Sequence, residues 1–594
     1  YYTSDSEINM SDIRETLAEN LPEYMIPSYM MQIEKIPVTT NGKLDKKALP
    51  EAEAKPAREY VAPVNDVQEM LCGLFESVLK VENIGIEDDF IELGGDSIKV
   101  IRLISLLRDK GYSASVKDIM QRRTVASIEK ILKSDKSELS YEQGEVVGVI
   151  KNTPMINEFV KWNLAKPEHF NQTYLIGVGA VSDEIIKKAV ESIVIHHDIL
   201  RAVYTDNTLK VQSVEESKLF DFYSINLTET SYTVDMLNDK CNEIQQSMNL
   251  ENGPLVKVLS VENNGQKFVV FIVHHLLVDG VSWRIIQEDM ETAIAQQLNG
   301  EEIVLPPKTV SFIEWSNAIY EYAESDEFAD VSRYWNKEIP KLSENNFALP
   351  ADSSVNNAKS EPIALEFSSE ETQQIKDSGS AYNTGIKEIL LSALAITVNK
   401  MSQQENVTVF IEGHGREKIH KEILTDRTVG WFTNLYPLVL VSKADFGETI
   451  IENKEIIRNV PNNGFGYMLM NNRPSNSKDY ILFNYLGEFE GDDSSDKSKE
   501  NYTLGMDVAE ENSAVINNDI SFNGLVSGDI LTFNIAYNAE KYSVDTIKEF
   551  VEEFRSSLLR LADYCNGYED TMFTASDFSD DLDSDEFDSI LDLL

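Results

Sequence analysis

The chain has 594 residues, 42% of them hydrophobic and 9% aromatic, which is enough for two to four folded units and argues against wholesale disorder. Its 53 basic and 101 acidic side chains leave a formal net charge of -48, which repels nucleic-acid backbones and anionic lipid, so neither is expected as a partner. Cys72, Cys241 and Cys565 match no metal or redox spacing, no signal pattern opens the chain, and the strongest apolar run, Phe268 to Val273, is too short to span a bilayer. A cytoplasmic protein with reduced thiols and no bound metal is expected.

In chain order, residues 1–52 form a first zone that closes on Asn41-Gly42-Lys43-Leu44-Asp45. An Ala-, Glu-, Lys- and Pro-rich stretch, 53–63, has the composition of a linker. Residues 64–136 are helical in pattern. Asn65 is placed to cap a helix whose apolar face is Val67, Leu71, Leu74, Phe75 and Val78. Ile98, Ile101 and Ile104 mark a second helix ending near Gly111, and Thr124 caps a third through Val125, Ile128 and Leu132. Before the second helix, Leu93-Gly94-Gly95-Asp96-Ser97 ends a loop. Its glycines permit a tight turn, and the free N–H groups of a helix start favour a phosphate on Ser97; taken alone, Ser97 is better read as an N-cap.

Residues 145–565 mix buried strands with amphipathic helices and read as a large α/β unit. Phe268–Val273 is a predicted strand running into His274-His275-Leu276-Leu277-Val278-Asp279-Gly280, and Ser282–Gln297 is the helix after it. A histidine at a strand end sits on a rigid scaffold and has a pKa suited to proton transfer. Neighbouring residues of an extended chain project apart, so His275 is the candidate and His274 is structural. The same reasoning disfavours a metal held by His274, His275, Asp279 and His414. Asp279 and Arg284 read as braces of the motif. Leu531–Tyr537 alternates as a half-buried strand does. Residues 566–594 are acidic, without Lys or Arg from Glu569 onward. They read as a disordered tail with a short apolar pattern at Phe587, Ile590 and Leu591, as a linker, or as a docking segment for a basic partner.

Several of these strings resemble non-ribosomal peptide synthetases. Leu21-Pro22-Glu23-Tyr24-Met25-Ile26-Pro27 and the Asn41-to-Asp45 string are similar to the C-terminal subdomain of an adenylation domain. The resemblance implies that Lys43 contacts acyl-phosphate and ATP oxygens once an upstream adenylation core is present, and that this chain alone activates no amino acid. Leu93-to-Ser97 in its helical setting resembles a peptidyl carrier protein, implying 4′-phosphopantetheine on Ser97, attached by a phosphopantetheinyl transferase. His274-to-Gly280 resembles the condensation-domain superfamily. Val281-Ser282-Trp283-Arg284, Glu412-Gly413-His414-Gly415-Arg416-Glu417, Val429 to Pro437, Pro461 to Tyr467 and Phe483-Asn484-Tyr485-Leu486-Gly487 resemble its epimerization branch.

The fold so implied is multidomain: a small α/β adenylation C-terminal subdomain, a four-helix carrier domain, and a two-lobed α/β chloramphenicol acetyltransferase-like epimerization domain. The implied activity is epimerization of an aminoacyl or peptidyl thioester in a cleft between the lobes, before a downstream condensation domain. By the resemblance, His275 and Glu412 handle the two protons, with Glu412 the base toward an L substrate, His275 its acid partner, and the roles open to exchange. Asn484 and Tyr485 lie nearby, Tyr485 being favoured as the assisting group. Glu412 otherwise reads as a salt-bridge partner of Arg416 or Arg427. The rivals are a peptide-bond-forming catalyst and an inactive carrier-docking scaffold.

Overall fold

A computed structural model describes Gln32, residues 61–134 in part, and 141–577 apart from 228–233, 343–344, 346, 348, 350–361, 418, 421–422, 471–479, 490–506, 510, 513–518 and 569–570. Lys43, Ser97, the Ile98-to-Ile104 helix and the Phe587-to-Leu591 pattern lie outside the described residues. The chain divides into two units, Tyr1–Ser140 and Tyr141–Leu594.

In the first unit, α1 (Asp66–Leu79) starts at Asn65, whose side chain accepts the Gln68 N–H at 2.9 Å. Its Leu71, Phe75 and Val78 face inward, as their spacing requires, and Phe75 meets Phe90 edge-on at 4.8 Å. A second short helix, α2 (Val125–Glu129), is capped by Thr124 and contributes Val125 and Ile128 to the same cluster.

Among the described residues the second unit builds three sheets, a small three-stranded one (Gly148–Val149, Thr208–Val211 and Ala202–Thr205) and two larger ones that position the site. The first of these two has strands β1 (Asn171–Gly179), β2 (Asp221–Asn226), β3 (Val256–Asn263) and β4 (Gln266–His274), in the order β1-β4-β3-β2. β4 is central and almost wholly apolar, and every residue from Phe268 to His274 is buried. Its end passes into a single 3-10 turn, His275–Leu277, and then into α3 (Gly280–Leu298), capped by Asp279. The expected strand–turn–helix is thus present with its termini extended by one or two residues.

The second sheet is larger. It comprises β5 (Ile363–Glu366), β6 (Asn406–Gly413), β7 (Asn434–Val441), β8 (Ile481–Phe489), β9 (Ile520–Ser527) and β10 (Ile530–Tyr537), in the order β5-β10-β9-β8-β6-β7. β10 shows the period of two in its burial: Leu531, Phe533, Ile535 and Tyr537 are buried. That face is covered by α4 (Val544–Asn566), through Phe522–Phe554 and Phe533–Phe554 ring contacts at 5.1 and 5.6 Å. One continuous apolar cluster serves both sheets.

The predicted limits 145 and 565 are both too narrow. Tyr141 already accepts the Leu424 N–H through its hydroxyl at 3.3 Å, and Gln143 exchanges two hydrogen bonds with the Lys308 backbone. At the other end, residues 571–577 are not a disordered start of the tail. Asp577, 1% exposed, pairs with fully buried Lys454 and with Arg458 at 2.6 Å, and accepts the Thr574 N–H at 2.7 Å. The charge run hid this, because a buried aspartate with two cationic partners looks like any other acidic residue in a list. Asp577→Ala is expected to cost about 2 kcal/mol, less than full exposure of a buried charge pair, because Lys454 keeps the Tyr382 carbonyl at 2.7 Å. A denaturant midpoint, together with faster proteolysis near residue 571, checks it.

The three cysteines are free and buried. Among the described residues no helix is long and apolar enough to cross a membrane.

Candidate active site

The two adjacent histidines at the end of β4 have separate surroundings. His274 is fully buried; Nε2 donates to the Pro167 carbonyl at 2.9 Å, and Nδ1 accepts the Leu276 N–H at 3.2 Å. Burial pushes its pKa down to about 4. His275 turns the other way and is half-buried between aromatic faces, Phe170 at 5.0 Å in a stack and Trp431 at 4.6 Å. Its Nδ1 lies 2.9 Å from the Val278 carbonyl and its Nε2 lies 2.9 Å from the Gln172 amide nitrogen. Desolvation holds its pKa below the usual histidine value, so the neutral ring is favoured.

Asp279, 3% exposed, is a brace. It accepts from the Ser282 N–H and hydroxyl, both at 2.8 Å, from the Phe432 N–H at 3.1 Å, and from Arg416 at 3.1 Å. Arg416 also donates to the Thr425 and Thr428 carbonyls, each at 2.7 Å. Arg284 donates to the Leu486 carbonyl at 3.3 Å, joining α3 to the end of β8.

Glu412 leaves the second sheet at the end of β6. Pairing between β6 and β8 is parallel and ends at Ile411 opposite Phe483, so Glu412 and Asn484 follow side by side and share a face. Alternation puts Tyr485 on the other face with Phe483, and Tyr485 packs against the apolar cluster. The register therefore gives Asn484, rather than the favoured Tyr485, the better place beside Glu412. Burial and the charge of Asp279 push the Glu412 pKa up to about 7, and a hydrogen bond from Thr433 opposes them. Neither suspected ion pair includes Glu412: Arg416 pairs with Asp279, and Arg427 with Glu288 at 2.7 Å and with Asp289.

What joins the two candidate groups is the segment 429–433, which enters the second sheet at β7 while bonding the first lobe. The Gly430 N–H donates to the Ser282 hydroxyl at 3.1 Å, the Gly430 carbonyl lies 3.0 Å from the same oxygen, and a Cβ on Gly430 would meet the Phe312 ring at 2.2 Å. Trp431 covers His275, Phe432 bonds Asp279 and Thr433 bonds Glu412. Three consecutive residues thus touch the imidazole, the bracing carboxylate and the second carboxylate. Gly415, with φ of +66°, lets the chain beyond Glu412 pass this segment, since a Cβ there would lie 1.8 Å from the Phe432 carbonyl.

Sequence reasoning missed Gln172 and Phe170 as site residues, since no motif marks them and only strand pairing brings β1 beside β4; Thr433 lies within the Val429-to-Pro437 string but is not singled out by it. It also missed a cluster of half-buried His196 with buried His197 and Asp289, compact enough for a metal ion. There Asp289 accepts from His197 at 2.7 Å and from Arg427, so its charge already has partners. The set His274, His275, Asp279 and His414 does not converge: His414 is exposed and bonds Glu417 at 3.3 Å.

The sequence matches the family described as Condensation domain over residues 159–582, and the one described as Phosphopantetheine attachment site over 69–132, which includes Ser97. Gramicidin S synthase 1 of Brevibacillus brevis is 34% identical over the whole chain, and tyrocidine synthase 1 of Brevibacillus parabrevis is 33% identical. The chain spans 56% and 57% of those two relatives, and 9% of bacitracin synthase 3 of Bacillus licheniformis. Among solved structures, the epimerization domain from the third module of tyrocidine synthetase B superposes with a TM-score of 0.65 at 30% identity, covering 72% of this chain and 98% of that one. The condensation domain of the Monacolin K polyketide synthase MokA, 14% identical with a TM-score of 0.55, covers 71% and 98% and shares the fold.

Proposed function

The chain belongs to the condensation-domain family of non-ribosomal peptide synthetases, with a phosphopantetheine-attachment module ahead of the larger domain, and on that premise we propose that it epimerizes the α-carbon of an aminoacyl or peptidyl thioester. The observation that carries this reading is the pairing of His275 and Glu412 through residues 431–433, with proton affinities displaced in opposite directions. The likeness to an epimerization domain at 30% identity supports it as well.

Inversion removes the α-proton on one face and returns a proton on the other. Burial lowers the affinity of the imidazole and raises that of the carboxyl, so the resting proton sits on Glu412 and the His275 Nε2 lone pair is the base. In the first transfer the Cα–H bond breaks toward Nε2, its electron pair moves into the thioester carbonyl, and Glu412 delivers its proton to the opposite face. The enzyme is left with an imidazolium and a carboxylate, which is the form matched to the other enantiomer. This order is the exchanged form of the roles that the resemblance implies, in which Glu412 is the base toward an L substrate. Asn484, whose backbone is level with Glu412 and whose NH2 lies 3.4 Å from Asn523 Oδ1, would donate to the enolate oxygen.

Ser97 is the residue that would hold the 4′-phosphopantetheine arm, which supplies the substrate as a thioester at high local concentration. The test is to pantetheinylate the chain, load an L-aminoacyl group and measure the D/L ratio of the released cargo. Approach to a mixed ratio is expected. Retained L configuration, or peptide formation on adding an acceptor thioester, overturns the reading.

A further inference from the structure

We propose that Gln172, clamped by the indole of Trp283, is a positioning residue that keeps the Nε2 lone pair of His275 unprotonated and fixed in direction. The proposal rests on the acid–base role given to His275 above, but concerns a property that is measurable without turnover.

The hydrogen-bond polarity has a single solution. An indole N–H donates and never accepts. Trp283 Nε1 lies 2.7 Å from Gln172 Oε1, so the oxygen end of the amide faces the indole and the NH2 end faces His275. That NH2 lies 2.9 Å from His275 Nε2 and also only donates, so in the resting site Nε2 accepts and carries no proton, and it takes up the α-proton only once this amide hydrogen bond is broken. The ring proton is then on Nδ1, where the Val278 carbonyl receives it at 2.9 Å. From Trp283 through Gln172 and His275 to Val278, every donor meets an acceptor in this arrangement. Protonating Nε2 sets N–H against N–H, and flipping the amide to relieve that clash sets its NH2 against the indole.

The clamp is itself held. Trp283 is 5% exposed and stacks on Tyr174 at 5.1 Å and 9°, and the Tyr174 hydroxyl donates to Gln287 at 2.6 Å. Gln172 precedes Tyr174 by two residues on β1 and pairs in register with Val273, one residue before the histidines. The charged and titratable groups around the ring are Asp279, matched by Arg416; His274, neutral by burial; Glu412 on the second sheet; Arg284 on α3; and Asp507 beside β1, bonded by Thr173. None of them opposes Nε2 as directly as the amide does.

The experiment places ring-15N histidine in the full chain and finds His275 among the seven histidines by its loss in His275→Ala. The native chain is expected to show an unprotonated Nε2 and a protonated Nδ1 at neutral pH. Gln172→Glu keeps an acceptor for the indole and turns another toward Nε2, so the apparent pKa of His275 rises by about one unit or more. Trp283→Phe frees the amide to flip, and Gln172→Leu removes the N–H that opposes protonation; both raise it by less than Gln172→Glu, which adds an acceptor. Unchanged spectra of the other six histidines report that each variant is folded. Native titration of His275 in both Gln172→Glu and Trp283→Phe overturns the proposal. If the titrations move as stated but the native chain never exchanges the α-proton of its loaded substrate, the lock stands and the epimerase reading falls.

Discussion

Glu412→Gln is expected to reduce epimerization of carrier-bound substrate by about 10²- to 10⁴-fold, the usual worth of a positioned acid or base, while leaving the loading of Ser97 intact. His275→Ala is expected to do the same. Loss alone does not separate a proton carrier from a structural support, so the two enantiomers are followed separately by uptake of solvent deuterium at Cα. With one group gone, the other still faces one side of the carbon. Glu412→Gln retains exchange only for the enantiomer whose proton points at His275, and His275→Ala retains it only for the opposite one. The residual exchange of His275→Ala grows as pH rises through about 7, where Glu412 becomes the carboxylate. Retention of the same enantiomer by both variants contradicts two-sided chemistry.

Stability moves the other way for this residue. The folded-state affinity of Glu412 for its proton is raised above the value for an unfolded chain, so its contribution is favourable below the unfolded pKa and is lost as pH climbs through about 7. A neutral glutamine escapes that loss. The Gln variant is therefore expected to be at least as stable as the native chain at pH 8, and inactivity with an unchanged or higher unfolding midpoint assigns the defect to chemistry.

His275 and Glu412 were legible because each stands at a strand end inside a string with its own glycines, Gly280 after the first and Gly413 and Gly415 after the second. Their surroundings were not. Gln172 lies in an ordinary strand, and its importance depends on β1 pairing with β4, a contact across about a hundred residues of sequence that no local period encodes. The choice between Asn484 and Tyr485 turns on a register of one residue, which the parallel pairing of β6 and β8 sets and composition does not. Anchoring of residues 571–577 likewise depends on Lys454 and Arg458 on the helix Phe446–Arg458, more than a hundred positions away. The elements themselves were readable to within a few residues, since the periods of 2 and 3.6 and the caps Asn65 and Thr124 are local signals.

Asp279→Ala is expected to destabilise residues 141–577 by about 3–5 kcal/mol, because it leaves the guanidinium of Arg416 buried without its carboxylate and uncaps α3. Asn is not a harmless replacement here. Its oxygen can serve Ser282 and one Arg416 N–H, but its NH2 then takes the place of the oxygen that accepts from Phe432 at 3.1 Å and from Arg416 at 3.3 Å, setting donor against donor. Phe432 lies between the residue covering His275 and the one bonding Glu412, so the lost bond loosens the segment that holds both. The electrostatic consequence has a definite sign. The negative charge of Asp279 raises the proton affinity of both His275 and Glu412, so neutralising it moves both apparent pKa values down. The pH profile of residual epimerization in Asp279→Asn is accordingly displaced toward acid, beyond any fall in rate. A brace with a merely steric role lowers the midpoint of denaturant unfolding and leaves that profile where it was. Unfolding at the native midpoint with an undisplaced profile shows that the carboxylate neither secures the segment nor sets the two affinities.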